Sequence, residues 1–166
     1  MTGMRARHQA GTGGFTYLEV LVAIAVLAIA TTAMASALEQ VRMAADDEER
    51  AAIAEHLLHD GLAWVRSLPR LDGTSPVFGS ESGETPGVDV DDVDDLANVV
   101  ETAPIDRGGL RHDAAWRRRW TVESVRLDDP DIAAADGSTT LLRVGLAVAH
   151  DGTEVATSSL LLARTP

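Results

Sequence analysis

The stretch GTGGFTYLEVLVAIAVLAIA, residues 11–30, decides how the chain is read. A single carboxylate, Glu19, interrupts a run that is otherwise apolar. Beyond it, residues 20–38 hold 19 positions without a charge. At helical rise these span about 28 Å, close to the hydrocarbon thickness of a bilayer. An acidic side chain at mid-membrane costs about 2.5–3.5 kcal/mol, so Glu19 calls for a partner or an interface. Arg5 and Arg7 precede the run and EQVRMAADDEE follows it. That asymmetry predicts a cytoplasmic N-terminus, one membrane helix, and the bulk of the chain on the far side.

The remainder of the composition narrows the function classes. The chain has 166 residues, no cysteine, and a net charge of −12 in which every fixed cation is arginine. Disulfide frameworks and thiolate metal sites are therefore excluded. Loss of residues 1–14 would leave 12 Arg against 26 Asp and Glu, a net −14. Such a surface repels phosphate backbones and argues against nucleic acid as a partner.

Helical character is expected to continue far past the apolar run. No proline occurs between Phe15 and Leu68, and the sequence is rich in Ala, Leu, Glu and Arg. A span of about 50 residues would reach about 75 Å, far longer than a globular helix. Asp46 and Arg50 stand at i,i+4, and Ile53, Leu57, Gly61, Val65 and Leu68 form a stripe suited to a sheet. Pro69 stops the helix. Residues 70–90 are rich in Gly, Ser and Pro and read as loop. DVDDVDD, residues 89–95, is expected to be a solvated acidic loop leading into a short helix capped by Asp94 or Asp95. It lacks the central Gly and terminal acid of an EF-hand, so no metal site is expected.

The C-terminal third alternates. WRRRWTVESVRL, residues 116–127, places Trp116, Arg118, Trp120 and Val122 on one face. Residues 139–164 predict two strands around a turn at Asp151-Gly152, with Leu142, Val144, Leu146 and Val148 on the inner face of the first. Val155 and the LLLA run should supply the inner face of the second. The expected fold class is α+β: a long N-terminal helix packed on a small antiparallel sheet of three strands.

The junction GGFTYLEVLVAIAVLAIA resembles the N-terminus of type IV prepilins and pseudopilins, whose fold is pilin-like. That family has a short basic leader ending in Gly, then Phe, then a carboxylate as the fifth mature residue of an apolar helix. The resemblance implies a leader at 1–14, cut after Gly14 by prepilin peptidase, with N-methylation of the new terminus at Phe15. It implies a membrane and assembly helix over 15–38, a periplasmic half over 39–69, and a pilin head over 70–166. The subunit would sit in the bacterial inner membrane, single-pass among lipid with its head outside the cytoplasm. It would then enter a periplasmic or extracellular filament through an assembly platform. Its partners would be other pilins or pseudopilins, with Glu19 pairing with a Phe15 amine in the packed bundle. The order of strands also resembles the type IV pilus modification class of minor pilins and I-type pseudopilins, although His150 stands where an aromatic residue is common. Two other readings explain less of the stretch. One is a secretory signal cut after Ala33-Met34-Ala35, giving a secreted binding domain that begins near Ser36. The other is an uncut single-pass anchor outside any filament.

Catalytic patterns are weak, and the chain is expected to be neither an enzyme nor a carrier of a cofactor. His56 and His59 lie at i,i+3, but two ligands do not make a site, and EHLLHD is not a zincin motif. GSESG, residues 79–83, has Glu81 where a hydrolase elbow needs Ser. The Trp-Arg cluster at 116–120 is expected to serve strand packing and ion pairing with acidic groups.

Overall fold

The computed structural model describes residues 15–69, 78–79, 84–85, 87–135 and 141–163. Two compact units divide the chain, Met1–Ala45 and Asp46–Pro166. One helix, α1 (Tyr17–Val65), runs through the boundary. Four strands follow: β1 (Val100–Thr102), β2 (Trp116–Ser124), β3 (Leu141–His150) and β4 (Thr153–Ala163). They form one antiparallel sheet in sequential order. The protein is therefore α+β, as its periodicities predict.

Within the second unit the helix presents Ala54, Leu57, Leu58, Gly61, Leu62 and Val65 to the core, and Ile53 and Leu68 pack partly against it. The sheet answers with Trp116, Trp120 and Val122 from β2, and with Leu142, Val144, Leu146 and Val148 from β3. Strict alternation along β2 gives it one buried and one exposed face. Trp120 is fully buried and meets Trp64 edge-on at 5.8 Å between ring centroids. At Gly61 the helix and the sheet approach closely. A methyl group there would sit 2.6 Å from Leu146 Cδ2 and 2.8 Å from the Trp120 ring.

The end of α1 comes three residues before the expected stop. Ser67 N–H bonds Trp64 O at 2.8 Å and Leu68 N–H bonds Val65 O at 3.2 Å, so the chain tightens into i→i−3 turns ahead of Pro69. No basic residue occupies the last helical turn. Arg107 supplies that charge from a loop, donating to Ala63 O at 3.1 Å and to Ser67 Oγ at 3.3 Å. Arg50 pairs with Asp47 at 3.2 Å, not with Asp46 as the i,i+4 reading anticipated.

Three expectations about the head need correction. The sheet has four strands because the three-residue β1 pairs with β2, Glu101 opposite Arg118. So short a strand carries no readable alternation. Val155 does not face the core. A register shift between Val148 and Ala149 leaves it in a bulge, where it is 36% exposed, and only Leu162 of β4 is buried. The Asp-rich run is solvated only in its first part, at Asp89 and Asp91. Val93, Leu96 and Val99 are core residues, and they draw Asp92, Asp94 and Asp95 down to 2% exposure. The short helix exists as a 3-10 turn, Asp94–Leu96, but its N-cap is Val93. The amides of Asp94 and Asp95 donate to Asp92 Oδ1, at 3.0 and 3.4 Å. The turn between β3 and β4 follows expectation: Asp151 and Gly152 have φ of 50° and 79°, the primed geometry that suits a right-twisted hairpin.

Candidate functional site

The residues singled out by the N-terminal stretch are Gly14, Phe15 and Glu19. Gly14 and the leader 1–14 lie outside the described residues. Phe15 is 83% exposed, directly ahead of the helix. Glu19 stands in the first helical turn, where the positive end of the helix dipole favours a carboxylate.

Glu19 has a partner in its own chain. Its Oε2 accepts from the Thr16 amide at 3.4 Å, and its amide donates to Thr16 Oγ1 at 3.3 Å. This reciprocal arrangement is a capping box, satisfying two donors that a helix start otherwise leaves orphaned. The signal was legible as T-x-x-E, residues 16–19, ahead of an apolar run, and the reading of Glu19 as a membrane anomaly missed it. Both bonds are long and exposed, so the carboxylate retains lone pairs for a cation. The box also brings Glu19 back to the residue that follows Phe15.

From Val20 to Leu38 the helix is apolar on every side. Leu21, Ile24, Leu27 and Ile29 are all exposed, and no residue of the most apolar window is covered by protein. That window has a mean hydropathy of 2.3. Its few polar side chains are satisfied internally. Thr31 and Thr32 hydroxyls donate to Ala28 O at 3.0 and 2.8 Å, and Ser36 donates to Ala33 O at 2.9 Å. Such back-bonding is what a hydrocarbon environment demands of hydroxyl groups. The helix is long and apolar enough to cross a membrane.

The other flagged residues pair with neighbours in the second unit. His56 bonds Asp106 at 3.3 Å and His59 lies 3.5 Å from Glu55, so the two imidazoles serve different carboxylates. The Leu110 amide and the His56 contact hold the Asp106 carboxyl below the usual range. In the Trp-Arg cluster Arg118 is 5% exposed, while Arg117 and Arg119 face solvent. The Arg118 guanidinium donates to Glu101 Oε2 at 2.6 Å and to Ile105 O at 3.2 Å, and lies 3.7 Å from Asp60. It ties helix, β1 and the following loop together. Of GSESG only Gly79 is among the described residues, and its amide donates to Asp94 Oδ2 at 3.0 Å. Burial, together with the neighbouring Asp92 carboxyl, pushes Asp94 up to about 7.

Compared with known proteins, the chain matches no family model, no curated protein and no solved structure.

Proposed function

We propose that the chain is a minor pilin or pseudopilin, a non-catalytic subunit of a type IV pilus or type II secretion filament. One observation carries the reading. The lone charge between Phe15 and Leu38 falls at the fifth position after the Gly14–Phe15 junction, at the head of a helix apolar on all sides. Prepilin peptidase would cut after Gly14, and the amine freed at Phe15 would be methylated. The helix would hold the subunit in the inner membrane with its head outside the cytoplasm. In the filament it would pack against sibling pilins, where Glu19 meets a neighbour's Phe15 amine. Within an apolar bundle that pair offsets a charge otherwise left alone and sets the axial register.

The capping box favours a second reading, an anchored binding domain outside any filament, because it employs Glu19 without a neighbour. Glu19→Gln separates the two, since glutamine at this position keeps the reciprocal cap but not the charge. The filament reading predicts that Glu19→Gln inserts into the membrane and is processed normally, yet falls at least tenfold in the sheared filament fraction. Wild-type incorporation would favour the cap as the whole role of Glu19.

A further inference from the structure

β1 is an edge strand, and among the described residues no strand lies beyond it. Its inner side is bonded to β2: the Trp120 amide donates to Val99 O at 2.8 Å, and the Ala103 amide donates to Trp116 O at 3.1 Å. In an antiparallel ladder this register turns the backbone groups of Val99, Glu101 and Ala103 toward β2. Val100 and Thr102 therefore direct their N–H and C=O groups outward. We propose that this edge takes up an extended strand of a partner protein, apolar in its side chains and carrying a carboxylate. The inference goes beyond the filament reading and does not depend on it.

An open edge alone would mean little, because any open sheet has two. The recess beside this one is the independent observation. A groove of about 710 Å³ runs along residues 97–105 and is lined also by Gly87, Val88 and Arg111. Val88, Val100 and Ile105 are exposed and make much of its surface apolar. Edge strands are ordinarily blunted by outward charge or by proline, and β1 has neither. Its one charged side chain, Glu101, is engaged by the buried Arg118 at 2.6 Å. Asn98 and Ala103, with φ of 66° and 54°, turn the chain on either side of β1 and keep the open stretch short.

The groove selects its occupant. Outward amides and carbonyls at alternate residues require a backbone that offers both, which an extended peptide does and a helix does not. The exposed valines and isoleucine favour apolar side chains at alternate positions of that peptide. Arg111 supplies the charge preference. It pairs with Ile105 through an isolated backbone bridge and lines the groove with its side chain exposed. Among the described residues no ion pair reaches it. In a chain with 26 acidic residues against 14 arginines, a cation left without an acid is complementary to a carboxylate from outside.

The test applies the full chain in detergent to an array of random peptides of about seven residues with blocked ends. Bound peptides should be enriched in Val, Ile and Thr at alternate positions and should favour Asp or Glu over Lys at least threefold. Thr102→Pro removes an outward donor and no bond to β2, a place where an edge strand tolerates proline. It should leave Tm within about 2 °C of wild type and weaken the selected peptides at least tenfold. Arg111→Glu should reverse the preference, so that Lys peptides replace acidic ones; this readout stands even where Thr102→Pro does not fold. Three results would overturn the proposal: no peptide bound by the wild-type chain, a folded Thr102→Pro that binds the selected peptides as wild type does, or an acidic preference unchanged in Arg111→Glu.

Discussion

Single residues divide into those whose partners the sequence suggested and those whose partners only folding reveals. Arg118 was placed on the inner face of β2 by alternation, but its partners lie 17 and 58 positions upstream, at Glu101 and Asp60. Removing a buried guanidinium leaves both carboxylates facing an empty volume. Arg118→Ala should therefore cost about 3–5 kcal/mol in chemical denaturation, whereas the exposed neighbour Arg119→Ala should cost under about 0.5 kcal/mol. Asp94 offers a test by pH. Its carboxyl is pushed up to about 7 in the fold from an ordinary 3.8, so the folded state holds the proton more tightly. The resulting stability is fully present below pH 3.8 and is lost as pH rises through about 7. In EDTA, Asp94→Asn should gain in Tm over wild type on going from pH 5 to pH 8; a difference independent of pH would contradict the burial argument. The aspartate run looked solvated because charge dominates its composition. Three apolar residues, Val93, Leu96 and Val99, nonetheless decided its burial.

At the scale of elements, the long helix and the three longer strands were legible because each carries a sustained period. The apolar stripe along Leu57, Gly61 and Val65 and the alternation of β2 have the spacings that packing requires. β1 and the Val155 bulge were not legible, since a three-residue strand has no period and a bulge breaks one. The contact between helix and sheet depends on Gly61, which alone would be read as a weak point in a helix. Gly61→Ala gains about 1 kcal/mol of helix propensity but forces a methyl into Trp120 and Leu146. Overpacking of this kind costs about 1–3 kcal/mol, and Trp120 is fully buried with little room to yield. A net loss in Tm is expected for Gly61→Ala. A gain would show that the Leu146 side chain can turn aside freely.

For the whole molecule, the candidate site was legible as a motif, and its local chemistry was not. The position of Glu19 and the length of the apolar run can be read from spacing alone. The capping box needed the bond between Glu19 and the Thr16 amide to be seen. The same geometry bears on the proposed life cycle. Glu19 caps the helix through Thr16; the proposed cut would create an amine next to the residue that it already touches. The pivot of the proposed life cycle is the Gly14–Phe15 junction, and the measurement that addresses it is the mature N-terminus. Protein recovered from the membrane fraction of a bacterium that makes it should be analysed by terminal sequencing and intact mass. The account predicts a chain that begins at Phe15 with a methylated amine. A chain that begins at Met1, or near Ser36, would contradict it.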